Sequence, residues 1–173
     1  MQFRGLGAVA QIGPTMNGSD QERAGPVFDP RVWLNPPADA ITIHKPGVVA
    51  IPAQFTSATV VQVVIPPGKN AVIWQIANNF IGGGFLDGSG EISWQIFRDP
   101  LFRRAIYGFD NILSLLGTTQ APTKLSAPIR LFEKEVITLR VTNNTILAPT
   151  QLSTGLLGGW MYDKRHEQGN VYL

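Results

Sequence analysis

The chain has 173 residues, 44% hydrophobic and 15% charged, with 18 Gly, 13 Pro and no Cys. That composition fits one folded domain with appendages rather than two domains or a disordered chain. Fourteen Lys and Arg against twelve Asp and Glu leave a net charge of +2, too small a field to announce a nucleic-acid partner.

The missing cysteines remove a disulfide framework, thiolate metal sites and a cysteine nucleophile together. The basic pairs Arg103-Arg104 and Lys164-Arg165 are short enough to read as solvated loops. No apolar run approaches the roughly 18 residues that a helical membrane span needs. Met1-Gln2-Phe3-Arg4-Gly5 does not open a secretory signal. No membrane partner is expected, and synthesis in a cytoplasm is.

Residues 1–50 are expected to form an extended N-terminal arm. Gly5, Gly7, Gly13, Pro14, Gly18, Gly25, Pro26, Pro30, Pro36, Pro37, Pro46 and Gly47 interrupt every candidate helix or strand, and each proline pushes its predecessor toward extended backbone. The arm also carries Phe3, Leu6, Val9, Ile12, Val27, Phe28, Val32, Trp33, Leu34, Ile41 and Ile43, apolar surface that calls for burial. About 45 extended residues reach on the order of 150 Å, against a radius of gyration near 16 Å for a compact chain of this length. The arm is therefore long enough to cross a neighbouring subunit. Trp33 either anchors it there or packs on its own body.

Residues 51–173 are expected to form a β-sandwich. Ala58–Ile65 is a β-branched run closed by Pro66-Pro67-Gly68, a type II turn signal. In the run 71–78, alternation places Val72, Trp74 and Ile76 inward; in the next, Ile92, Trp94 and Ile96 alternate with Ser93 and Gln95. The glycine-dense stretch 80–90 between them reads as a hairpin loop. Residues 101–120 permit one short helix. Ala127–Phe132 and Val136–Thr142 flank Glu133-Lys134-Glu135 and read as a hairpin, with Ile137, Leu139 and Val141 inside. A last strand covers Thr154–Asp163.

This order of runs resembles the viral jelly roll, in particular small virion proteins of tailed bacteriophages. The residues that carry the resemblance are Ile65-Pro66-Pro67-Gly68, Ile92-Ser93-Trp94-Gln95-Ile96, Pro128–Phe132 through Asn143-Asn144, and Gly158-Gly159-Trp160-Met161-Tyr162. They span roughly residues 54–163. The resemblance implies an all-β, jelly-roll-like antiparallel β-sandwich with an extended arm, and a capsid-associated role as a decoration, vertex or neck component. One departure is the Glu133-Lys134-Glu135 turn, which lacks the Gly or Asn such hairpins carry.

Catalysis is poorly provided for. His44 and His166 lie in irregular flanks, no Gly-x-Ser-x-Gly elbow accompanies a serine, and no enzyme is expected. Asp87, Glu91, Asp99 and Asp110 lack calcium-loop spacing and read as turn carboxylates, so no metal site is expected. Gly82-Gly83-Gly84 has no following Lys-Ser/Thr for a phosphate, and no cofactor is expected.

The remaining signal is apolar. If Val61, Val63 and Ile65 point inward, Val60 and Val64 point out; if Trp74 points inward, Ile73 points out. With Phe28, Val32, Trp33 and Leu34 of the arm, these residues are the expected subunit interface of a homo-oligomer that also contacts other virion proteins. The alternative is a carbohydrate-binding module of a host-recognition structure, which requires two or more solvent-facing aromatics on one strand face or loop rim, with polar groups to pair sugar hydroxyls. A cupin-type enzyme comes third, since two histidines are too few for its metal.

Overall fold

The computed structural model describes residues 36–81, 90–99, 101, 116–146 and 151–167. Seven strands run through them: β1 Ile41–Ala50, β2 Ser57–Val64, β3 Lys69–Ile81, β4 Ile92–Phe97, β5 Thr123–Leu131, β6 Val136–Asn143 and β7 Leu152–Asp163, followed by a 3-10 turn, Lys164–Glu167. They form two antiparallel sheets, ordered β1-β7-β3-β5 and β2-β6-β4.

Successive strands alternate between the two sheets. The pairings β1 with β7, β2 with β6 and β3 with β5 nest inside one another, as in a long antiparallel ribbon rolled up from its ends. This is the winding of a jelly roll, and the chain is an all-β sandwich of that kind.

The core lies between the sheets. Val61, Val63 and Ile65 at β2, Ile92, Trp94 and Ile96 of β4, and Ile137, Leu139 and Val141 of β6 all enter it, with Ile73, Ile76 and Leu157 from the other sheet. The inward faces expected for β2, β4 and β6 are therefore observed, and Val64 points outward at 58% exposure.

Several expectations require correction. Ile41–Ala50, assigned to the arm, is a ten-residue strand in register with β7. Pro46 does not prevent this because β1 is an edge strand, where a missing donor is tolerated. At Gly47 a Cβ would lie 2.0 Å from the Val60 carbonyl oxygen, so the glycine admits a close approach between the sheets. Glu133-Lys134-Glu135 does not close a hairpin, since β5 and β6 belong to different sheets. The turn instead caps the end of β2: Lys134 N–H donates to Ile65 O at 2.8 Å and Ile65 N–H to Glu135 O at 2.9 Å. The stretch 80–90 likewise joins strands of opposite sheets.

Val60 and Ile73, expected to face outward, are buried at 6% and 0% exposure. Each sits beside a register shift, Thr59/Val61 in β2 and Ile73/Gln75 in β3. A bulge adds one residue and reverses the alternation beyond it. Phe28, Val32, Trp33 and Leu34, Asp87 and Asp110, and nearly all of the helix allowed in 101–120 lie outside the described residues.

Candidate functional site

The bulge in β3 builds the most distinctive surface of the molecule. Opposite β7, Ile73 pairs with Gly159 and Gln75 with Gly158, leaving Trp74 as the extra residue. Ile73 and Ile76 both enter the core, so Trp74 and Gln75 fall consecutively on the outer face of the β1-β7-β3-β5 sheet. The inward direction expected for Trp74 and Val72 is corrected by the same feature. Val72 packs with Trp160 and Tyr162 in a second cluster on that outer face, with Trp74 and Ala40 against it.

Neighbouring strands complete the surface. Thr42 and His44 of β1 stand opposite Trp160 and Gly158 of β7. On the other side β5 skips from Ile129 to Lys124 against β3, which brings the Lys124 ammonium to 5.5 Å from the Trp74 ring centroid. The result is a groove of about 380 Å³ lined by Thr42, His44, Trp74, Gln75, Lys124 and Trp160, with Pro36, Pro37 and Ala40 at its rim. The two indoles meet at 5.6 Å between centroids with their planes tilted by 56°. Gly158 makes the room: a Cβ there would come within 3.2 Å of the Gln75 side chain.

Thr42, His44 and Gln75 make no side-chain hydrogen bond among the described residues, and no carboxylate is part of the lining. Two buried polar side chains elsewhere, Asn78 and Thr138, are paired. Asn78 Oδ1 accepts from Leu116 N–H at 2.9 Å, and Thr138 Oγ1 from Gln62 at 3.1 Å.

A second polar centre is closed. Glu167, at the end of the 3-10 turn, accepts from Asn70 Nδ2 at 2.7 Å, from Arg130 Nε at 3.1 Å and from the Tyr162 hydroxyl. Burial, then the Glu167 carboxylate, pushes the Tyr162 phenol well above its ordinary value, so it remains a donor. Both carboxylate oxygens are occupied by the protein's own groups, and the cluster fastens the C-terminal turn onto the sheet. His166 Nε2 pairs with Asp39 Oδ1 at 2.8 Å, tying that turn to the segment before β1.

Of the two histidines, His44 thus lines the groove and His166 makes a surface pair. Asp99 Oδ1 accepts from Leu101 N–H at 2.7 Å, a turn role as expected. Among the described residues no three His, Cys, Asp or Glu side chains gather as metal ligands. No helix of the described residues is long and apolar enough to cross a membrane. Alternation alone does not reveal the groove as a unit; its trace in the sequence is Gly158-Gly159-Trp160 together with Trp74-Gln75.

No family model and no curated protein matches this chain.

Proposed function

We propose that the chain is a non-enzymatic structural subunit of a virus particle, capsid-associated as a decoration, vertex or neck component, that assembles with copies of itself and with other virion proteins. The observation that carries this reading is the nested strand order of the jelly roll, an architecture used by capsid and lectin domains, preceded by a long apolar segment rich in Pro and Gly.

An exposed apolar end adds to it. Phe55 (66% exposed), Ile81 (59%), Ile146 (75%) and Leu152 (40%) lie where β1, β3 and β6 finish and β7 begins, since Ala50 and Ile81 both pair with Leu152 and Asn143 N–H reaches Thr56 O at 3.0 Å. Phe55 holds a positive φ of 54° while remaining exposed. Such residues gain from contact with another subunit. Sedimentation of the full chain tests the assembly: a closed oligomer that weakens in the Phe55→Asp, Ile146→Asp double variant is expected, and a monomer at every concentration overturns the reading.

The carbohydrate-binding alternative is favoured by one specific observation, Trp74 and Trp160 side by side on an outer sheet face, with Thr42, His44 and Gln75 around them making no side-chain hydrogen bond among the described residues.

A further inference from the structure

We infer that the Trp74–Trp160 groove binds a short acidic oligosaccharide, with a pyranose ring against the indoles and a carboxylate or sulfate of the sugar at Lys124. The inference rests on the carbohydrate-binding reading and adds the ligand's charge and the residue that reads it.

Three features of the groove select the ligand. A pyranose ring has one face of C–H groups and a rim of hydroxyls, so it needs an apolar surface bordered by hydrogen-bonding groups. The tilted indoles provide the first, Trp74 half-buried as a wall and Trp160, 9% exposed, as the floor. Thr42, His44 and Gln75 provide the second, and none of them is engaged with other described residues. An apolar partner would strip water from these groups and return nothing.

Size is the next feature. A groove of about 380 Å³ lies at the small end of ligand sites, the scale of one or two sugar rings.

Charge is the third. Lys124 stands over Trp74 at 5.5 Å, His44 lines the opposite side, and among the described residues no Asp or Glu shares the lining. Asp39, close by in sequence, is taken by His166 at 2.8 Å. An anionic group on the sugar therefore meets a cation that no carboxylate of the described lining competes for. A single lysine is too little to hold a polyanionic nucleic acid through its phosphates.

The bulge gives the site its logic. Without the extra residue, Trp74 and Gln75 would point to opposite faces of the sheet. The shift in β3 places an apolar stacking surface and a hydrogen-bonding amide next to each other. Gly158 keeps the space beside them open.

The test applies the full chain to an array of immobilised neutral, uronate-containing, sialylated and sulfated oligosaccharides, followed by tryptophan-fluorescence titration with the best binder. Binding to acidic glycans is expected, reduced by about tenfold or more in Lys124→Gln and abolished in Trp74→Ala. Lys124 is exposed on the sheet surface, so its variant keeps the fold if the tryptophan replacement does not. Binding to neutral glycans alone, unchanged in Lys124→Gln, overturns the acidic ligand and leaves the carbohydrate-binding reading standing. No binding to any glycan overturns both. Glycan binding that appears only on removal of residues 2–35 shows a groove occupied by the chain's own arm, which also overturns the inference.

Discussion

Trp94 on β4 donates its indole N–H to the Oγ of Ser153 on β7 at 3.0 Å, a hydrogen bond that crosses the core from one sheet to the other. Both residues are buried, at 1% and 0% exposure. Ser153→Ala removes this acceptor and leaves a buried donor unpaired, at a cost of about 1–3 kcal/mol. Urea unfolding followed by tryptophan fluorescence is expected to show a lower midpoint with an unchanged slope.

Acid weakens the end of the sandwich around β7 and the 3-10 turn. The Arg165 guanidinium and then its backbone N–H hold the Asp163 carboxyl down at about 2, from an ordinary 3.8. The Gly68 amide, then Lys164, lowers Glu133, and His166 lowers Asp39. In the unfolded chain these groups take up protons at higher pH than in the folded one. Their contribution is therefore complete above the ordinary carboxylate range and is lost as pH falls through the folded values, for Asp163 about 2. Thermal melts from pH 6 to pH 2 are expected to show a falling midpoint, with a smaller fall in Asp163→Asn combined with Glu133→Gln. Added salt at pH 6 lowers the midpoint only slightly, since these pairs are exposed.

Deletions at the N-terminus separate the arm from the body. Removing residues 2–35 leaves β1 intact, and the truncated chain is expected to fold while losing assembly. Removing residues 2–45 takes Ile41–Lys45 out of β1, exposing the β7 backbone from Leu157 to Met161 and deleting Ile43 from the core. That variant is expected to melt well below the shorter deletion and to aggregate through its uncovered edge. Circular dichroism with light scattering reads both outcomes.

The two-residue period makes the faces of β2, β4 and β6 legible in the sequence, because long parts of those strands run without interruption. Val61, Val63 and Ile65, or Ile137, Leu139 and Val141, need only regular alternation to reach the core. Beside a bulge the same rule misplaces residues, as it does Val60, Val72, Ile73 and Trp74. The site was illegible for the same cause: Trp74 belongs to a core pattern until one extra residue turns it outward. Sheet partners were hidden differently. A turn such as Glu133-Lys134-Glu135 looks alike whether it folds a strand back on its neighbour or passes it to the opposite layer. The distinction lies in the hydrogen bonds that Lys134 and Glu135 make to Ile65. Pro46 and Gly47 concealed β1, since edge position and close approach are properties of the assembled sheets.

Gly159 gives the sharpest test of the β3–β7 junction. A Cβ built there would lie 1.9 Å from the Val72 carbonyl oxygen and 3.0 Å from the Ile73 Cα, both backbone atoms that cannot rotate away. Gly159→Ala must push β3 from β7 just before the bulge, in the middle of the four-stranded sheet. The expected penalty is at the upper end of overpacking effects, about 3 kcal/mol or more, and the displacement reaches Trp74 one residue beyond Ile73. Gly158→Ala differs, because its nearest neighbour is the Gln75 amide at 3.1 Å, a side-chain end that can shift, although the Gln75 Cβ follows at 3.2 Å. It is expected to cost under about 1.5 kcal/mol while narrowing the groove. Denaturation midpoints for the pair, read beside the fluorescence of Trp74, distinguish a strained sheet from a reshaped surface; equal losses in both variants contradict this account of the junction.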